Sequence, residues 1–124
     1  MKIPLGVSLP HRSPDPIDVD TMRRVAQRAD ALGFQDLWVT ENTIDHVFCF
    51  DALTILTYAA AVTTRIRVGV AVIVLPVHSP IEVAHRVATL DYVSHGRGWV
   101  ASSTTASSRS QRSTASGGSG RASS

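Results

Sequence analysis

Cysteine is almost missing from this chain. Cys49 stands alone among 124 residues, which excludes an intramolecular disulfide framework and any cysteine-based metal spacing, and suits a reducing cytoplasm. No metal site is expected. Lysine is as scarce, with one residue against eleven arginines. No apolar run approaches a bilayer span: the longest, Val68 to Val77, is about half the ~20 residues required, so no membrane association is expected. Met1 to Gly6 shows no charged stretch followed by a long apolar core, so no secretory leader is expected and the chain reads as soluble and cytoplasmic. Glycine is missing where a dinucleotide site would need it. Leu9-Pro10-His11-Arg12 follows the first strand-like run and contains none, which argues against a phosphate loop of the Rossmann type.

Acid is missing from one end. Residues 98–124 hold three arginines, ten serines, three threonines and no acidic residue, whereas residues 1–97 balance nine Lys+Arg against ten Asp+Glu. The basic character therefore belongs to the tail. Its Arg109, Arg112 and Arg121 have no interleaved aromatics and give electrostatics too weak for a nucleic-acid arm, so no nucleic-acid partner is expected. Residues 98–124 show neither strand patterning nor an amphipathic face and read as a disordered tail; residues 1–97 read as the folded domain.

Within that domain a repeat of strand, loop and helix emerges. Ile3 to Leu9 is short, apolar and closed by Pro10, and the prolines of His11 to Pro16 exclude helix there. Met22, Val25, Ala26, Ala29 and Leu32 keep helical spacing, with Asp18 or Asp20 as N-cap and Gly33 placed for a left-handed C-terminal cap. After a turn-like Gly33 to Asp36, Leu37 to Thr40 reads as a second strand. Asp51 caps a buried helix, Ala52 to Val62. Arg67 to Leu75 is β-branched without alternation, the pattern of a strand covered on both faces in a parallel sheet, and Pro76 ends it. Ser79-Pro80-Ile81-Glu82 combines a capping Ser, a first-turn Pro and a Glu three residues after the cap, so a helix runs from there to about Ser94, with Gly96 beyond its end. Strands begin near residues 3, 37 and 67. Repeated units of this kind imply parallel strands with right-handed crossovers, either in an open doubly wound sheet or in the first part of an eight-unit barrel. Periodicity alone does not choose between them.

The residues themselves carry a resemblance. Thr64-Arg65-Ile66-Arg67-Val68-Gly69, then Leu75-Pro76 and Ser79-Pro80, then Leu90-Asp91-Tyr92-Val93-Ser94-His95-Gly96-Arg97, in that order, resemble the bacterial luciferase-like monooxygenases. The resemblance covers about residues 1–97. It implies an α/β fold, the N-terminal three βα units of a TIM (β/α)8 barrel, and a flavin- or deazaflavin-dependent oxidoreductase or monooxygenase using FMN or coenzyme F420 on a small organic substrate. In that family a fourth strand rich in Gly and Val would follow Arg97. Gly-Val codons read one base later become Ala-Ser codons, so the Ser-rich tail predicts a frame change near Arg97. An unclosed set of strands predicts self-association through open sheet edges, and the alternative function is an inactive fragment that binds no cofactor.

Barrel chemistry sits at the C-terminal ends of strands. The resemblance places an acidic residue beside a His at the end of strand two, and the matching positions are Glu41 and Asn42. Asn forms hydrogen bonds but cannot shuttle a proton at neutral pH, so His46, four residues on, is the candidate substitute. The family's third strand carries a bulge with a non-prolyl cis peptide behind the cofactor ring, which by counting from Gly69 falls on Ala71, Val72 or Ile73. His11, His78 and His85 are weaker candidates. His78 reads as a loop residue and His85 as a helix residue bonded to a neighbour.

Overall fold

The computed structural model describes residues 3–42 and 47–103. Along the chain run β1 (Ile3–Ser8), β2 (Arg12–Ser13), α1 (Val19–Ala31), β3 (Phe34–Val39), β4 (Phe48–Cys49), α2 (Ala52–Ala61), β5 (Arg67–Val74), a single 3-10 turn (Leu75–Val77), α3 (Pro80–Val93) and β6 (Gly98–Ser103). Four strands form one parallel sheet in the order β1-β3-β5-β6, and β2 and β4 form a separate two-stranded antiparallel ladder over its C-terminal end. The expected α/β parallel architecture is present, with one strand more than the three predicted.

Local chemistry accounts for the helix ends. Asp18, not Asp20, caps α1: its carboxylate accepts from the Asp20 and Thr21 backbone N–H groups and from the Thr21 hydroxyl. The hydrogen bond from the Thr21 hydroxyl leads in holding the Asp18 carboxyl below the usual range. Asp51 caps α2 through the Thr54 N–H and hydroxyl. Ser79 occupies the N-cap of α3 with Pro80 behind it, but its side chain makes no capping hydrogen bond. Gly33 and Gly96 close the helices with φ of 83° and 79°, the left-handed region in which glycine is unstrained.

Two expectations about boundaries are corrected. The stretch Phe34 to Asp36, read as a turn, is the first half of β3, because Asp36 stands opposite Arg67 in the ladder and receives its guanidinium Nε–H at 2.7 Å. Residues 98–103, assigned to a disordered tail, form β6, which pairs with β5 from Val68↔Gly98 to Val74↔Ser103. The folded unit therefore does not end at Arg97; residues 104–124 lie outside the described residues.

Alternation divides the sheet into two faces. Leu37, Val39, Val68 and Val70 point to the helices and are fully buried with Met22, Ala26, Leu56, Ala59 and Leu90 in one core. The opposite face carries Gly6, Asp36, Trp38, Gly69 and Trp99: a Cβ on Gly6 would touch Asp36 and Trp38, and one on Gly69 would lie 2.0 Å from the Trp99 ring. Trp99 Nε1 is buried and, among the described residues, has no hydrogen-bond partner.

The N-terminal rim of the sheet is held by two charged side chains. Asp30, at the end of α1, accepts hydrogen bonds from the backbone N–H groups of Thr64, Arg65 and Ile66 and from the Thr64 hydroxyl, at 2.8 to 3.1 Å. Burial pushes its carboxyl up, but these four donors together outweigh burial and hold it below the ordinary carboxylate value. Arg97 satisfies all its guanidinium donors at once: Nε–H to Ser94 O, Nη1 to Thr63 Oγ1 and Ile66 O, Nη2 to Ala60 O and Thr63 O. Burial pulls the Arg97 guanidinium below its usual value, partly offset by the Asp30 charge.

Candidate functional site

The C-terminal ends of β1, β3 and β5 bring three of the candidate residues close together. Glu41 follows β3 and is 6% exposed. One of its carboxylate oxygens accepts the backbone N–H of Val74, the last residue of β5, and the other meets Nε2 of His78, which is 13% exposed. The 3-10 turn positions His78: Leu75-Pro76-Val77 folds back so that the His78 N–H reaches Leu75 O, and the ring is delivered to the neighbouring strand end. A carboxylate and an imidazole in contact, both largely removed from water, form a unit able to hold and orient a proton.

His11 lies at the end of β1 and bonds Thr40, the residue before Glu41. Its Nδ1 is 2.7 Å from Leu9 O, and its Nε2 accepts the backbone N–H of Thr40 at 3.2 Å. A carbonyl on one nitrogen and an N–H donor on the other fix the tautomer: Nδ1 carries the hydrogen and Nε2 is the acceptor. Thr40 Oγ1, 3.0 Å from the same Nε2, also accepts Nδ2 of Asn42 at 2.9 Å. Asn42 is therefore tied to the strand end through Thr40. His46 lies outside the described residues.

On β5, the peptide Ala71–Val72 is cis, and the β5–β6 register shifts between Ala71 and Ile73. The irregularity expected on Ala71, Val72 or Ile73 thus falls on those residues. Ala71 and Val72 are half-buried and Ile73 is in the core. Val74, whose N–H is held by Glu41, comes immediately after, so the bulge and the polar pair share one strand end. A pocket of about 190 Å³ opens beside them, lined by Glu41, Asn42, Cys49, Phe50, Asp51 and Ala52, with Phe48 and Phe50 stacked edge to face nearby at 4.9 Å. Among the described residues no lysine or arginine lines it. His85 is on the exposed side of α3.

His78, a weaker candidate in the sequence, is placed against Glu41 by the fold. Its partner is 37 residues away, and only the fold brings the two together; the available signal was the Leu-Pro-Val-His turn directly after a strand. Among the described residues no three His, Cys, Asp or Glu side chains cluster as a metal site, and no helix is long and apolar enough to cross a membrane.

Comparison with known proteins agrees with this fold. Residues 3–102 match the family described as luciferase-like monooxygenase, and the chain belongs to that family. The match runs through most of β6, which moves the limit of the family segment beyond Arg97. The limonene 1,2-monooxygenase of Rhodococcus erythropolis is 36% identical over 74 residues, covering 59% of this chain and 19% of that protein. The 4-hydroxyprotoasukamycin monooxygenase of Streptomyces nodosus subsp. asukaensis is 38% identical over 79 residues, 59% of this chain and 20% of that protein. The chain thus spans about a fifth of the length of these curated relatives.

Solved structures share the fold. The monooxygenase RslO1 from Streptomyces bottropensis superposes with a TM-score of 0.72 at 24% identity, over 90% of this chain and 36% of that one. The oxygenating constituent of 3,6-diketocamphane monooxygenase from Pseudomonas putida, solved in complex with FMN, gives 0.69 at 19% identity over 91% of this chain and 32% of that one. The coenzyme F420-dependent tetrahydromethanopterin reductase of Methanopyrus kandleri gives 0.68 at 21% identity, over 92% and 30%. The four-stranded unit therefore has the fold of one portion of a luciferase-like TIM barrel.

Proposed function

We propose that this chain supplies one wall of the active site of a flavin- or deazaflavin-dependent oxidoreductase acting on a small organic substrate. The observation that carries this reading is the buried Glu41–His78 pair, set at the C-terminal ends of neighbouring strands against the β5 bulge, where barrel enzymes place their chemistry. FMN or coenzyme F420, when bound, would supply the electron or hydride transfer. The residues fit one face of such a ring: Ala71 is small, and the backbone of Ala71, Val72 and Ile73 bulges at the strand end. Glu41 would fix the orientation of the His78 ring, His78 would present or accept a proton at the edge of the site, and Asn42 would hold the strand end through Thr40. His46 is a further candidate for proton transfer, and a reducing cytoplasm is the compartment that suits the lone Cys49.

A second reading is favoured by what lines the pocket. At about 190 Å³ it falls below the ~300 Å³ at which ligand sites begin, and among the described residues its lining offers no cationic group for a cofactor phosphate. On this reading the 124-residue chain is inactive and binds no cofactor by itself. Titration of the folded chain with FMN and with coenzyme F420, followed by fluorescence, separates the two. Saturable stoichiometric binding that is lost in Ala71→Phe supports the first; a folded sample that leaves both fluorescence signals unchanged establishes the second.

A further inference from the structure

We propose that the His11 imidazole is a wedge built into the β1–β3 ladder, and that His11 thereby acts as a positioning residue that directs Glu41 towards Val74 and His78. In a parallel ladder, a residue whose N–H donates to one carbonyl of the partner strand accepts, at its own carbonyl, the N–H two positions further along that strand. Ser8 stands opposite Trp38, and Leu9 N–H donates to Trp38 O at 2.9 Å, so the next bond of the series is Thr40 N–H to Leu9 O. The ring stands in its place. Leu9 O lies 2.7 Å from His11 Nδ1, and Thr40 N–H reaches His11 Nε2 at 3.2 Å.

The chemistry of the ring suits this insertion. A neutral imidazole has one donor and one acceptor, so it offers a hydrogen to the carbonyl and a lone pair to the N–H, and both ladder groups stay satisfied although they no longer meet. His11 is 6% exposed, so water does not compete for either nitrogen. Thr40 Oγ1, 3.0 Å from the same Nε2, accepts from Asn42 Nδ2, which extends the brace two residues further.

Thr40 needs such a brace. The β3–β5 ladder ends at Val39↔Val70 and the β1–β3 ladder at Ser8↔Trp38, so Thr40 lies past the last pair on both sides. Glu41 is the next residue, and its carboxylate crosses to the end of β5, where it takes the Val74 N–H and meets His78 Nε2. The main chain of His11 fastens the other side of the pocket: its carbonyl accepts Phe50 N–H at 3.0 Å, beside the Arg12↔Cys49 pair of β2 and β4. Glu41 and Asn42 line the pocket on one side, Cys49 and Phe50 on the other. One residue thus sets their separation, by the width of its ring.

This inference rests on the reading of Glu41 and His78 as the working pair, and its test stands apart from that reading because no cofactor enters the measurement. Amide hydrogen exchange in the 124-residue chain is read at Thr40 and Val74 relative to Ile66. The Ile66 N–H is bonded to Asp30 at the far end of β5 and reports the stability of the whole unit, so a merely structural loss raises all three rates alike. His11→Gln puts an amide oxygen close to the place of Nε2 and keeps an acceptor for Thr40, whereas His11→Asn keeps a donor for Leu9 O and is too short to reach Thr40. In His11→Asn, Thr40 and Val74 should exchange roughly tenfold faster relative to Ile66, and in His11→Gln the ratios should stay within about twofold of the parent. The His78 Nε2 resonance should move in His11→Asn and hold its parental position in His11→Gln.

Parental ratios in His11→Asn, a rise at Thr40 without one at Val74, or an equal rise in both variants overturns the proposal. If His11→Asn does not fold, the parent and His11→Gln decide. A nitrogen–nitrogen coupling across the hydrogen bond from Thr40 to His11 Nε2 in the parent, and parental ratios in His11→Gln, are then both required, and failure of either overturns it. A folded chain that binds neither FMN nor coenzyme F420 defeats the proposed activity and leaves these ratios as they are.

Discussion

Gly69 and Trp99 stand opposite each other in the β5–β6 ladder, and the indole fills the space that any side chain at position 69 would need. A built Cβ would lie 2.0 Å from Cε2 and 2.1 Å from Cδ2 of the ring. Gly69→Ala must therefore displace Trp99, at a cost of about 1–3 kcal/mol for an overpacked site. Urea denaturation should show this loss in Gly69→Ala and a clearly smaller one when the same change is made in a Trp99→Ala background, because the two residues are in contact.

Asp30 gives the fold an acid limit. Despite burial, its carboxyl is held below the ordinary carboxylate value by the Thr64, Arg65 and Ile66 donors, so the unfolded chain takes up the proton first as pH falls. The stabilisation is complete above about pH 4 and is lost as pH drops through the lower, folded value. Asp30→Asn should be less stable at pH 7 by about 1–3 kcal/mol, since one oxygen is replaced by a donor facing backbone N–H groups. Its stability should also fall less steeply than that of the parent between pH 4 and pH 2, as followed by thermal melts.

Arg97 makes five hydrogen bonds to α2, the loop after it and the cap of α3. Lysine keeps the charge but has three donors on a single point, so it cannot replace the fork. Arg97→Lys should cost about 3 kcal/mol or more, given about 1.5–3 kcal/mol for a hydrogen bond to a charged group. A denaturation midpoint equal to that of the parent would contradict this.

Glu41 is expected to protect the Val74 amide. Glu41→Ala removes its acceptor and should speed hydrogen exchange at Val74 roughly tenfold, in keeping with about 1.4 kcal/mol of local protection. His78→Ala should leave that amide close to its parental rate, because the carboxylate remains.

For His11, nitrogen-edited NMR should find the neutral ring with hydrogen on Nδ1 and an acceptor Nε2. Thr40→Val, which removes the hydroxyl but keeps the backbone N–H, should preserve that tautomer.

Much of the fold was legible because its signals are local. Asp18, Asp51, Gly33 and Gly96 sit within a turn of the groups they serve, and the apolar run of β5 reports burial on both faces directly. The rest depends on partners far along the chain. Gln35 and Asp36 look like turn residues until Arg67, 31 residues away, supplies the countercharge. Gly98 to Ser103 reads as a continuation of the serine-rich tail, yet the β5 ladder and the close fit of Trp99 on Gly69 make it a strand. In the candidate site, Glu41 and the β5 bulge were found through resemblance, whereas the union of Glu41 with His78 needed the three-dimensional arrangement.

The clasp formed by Arg97 gathers carbonyls from the end of α2, the loop that follows and the cap of α3 at the rim opposite Glu41 and His78. The structural anchor and the candidate site thereby lie at opposite ends of the strands. Loops can be exchanged or lengthened at the end that carries Glu41 and His78 while the anchor stays in place, which makes this small α/β unit a suitable chassis for grafting new loops.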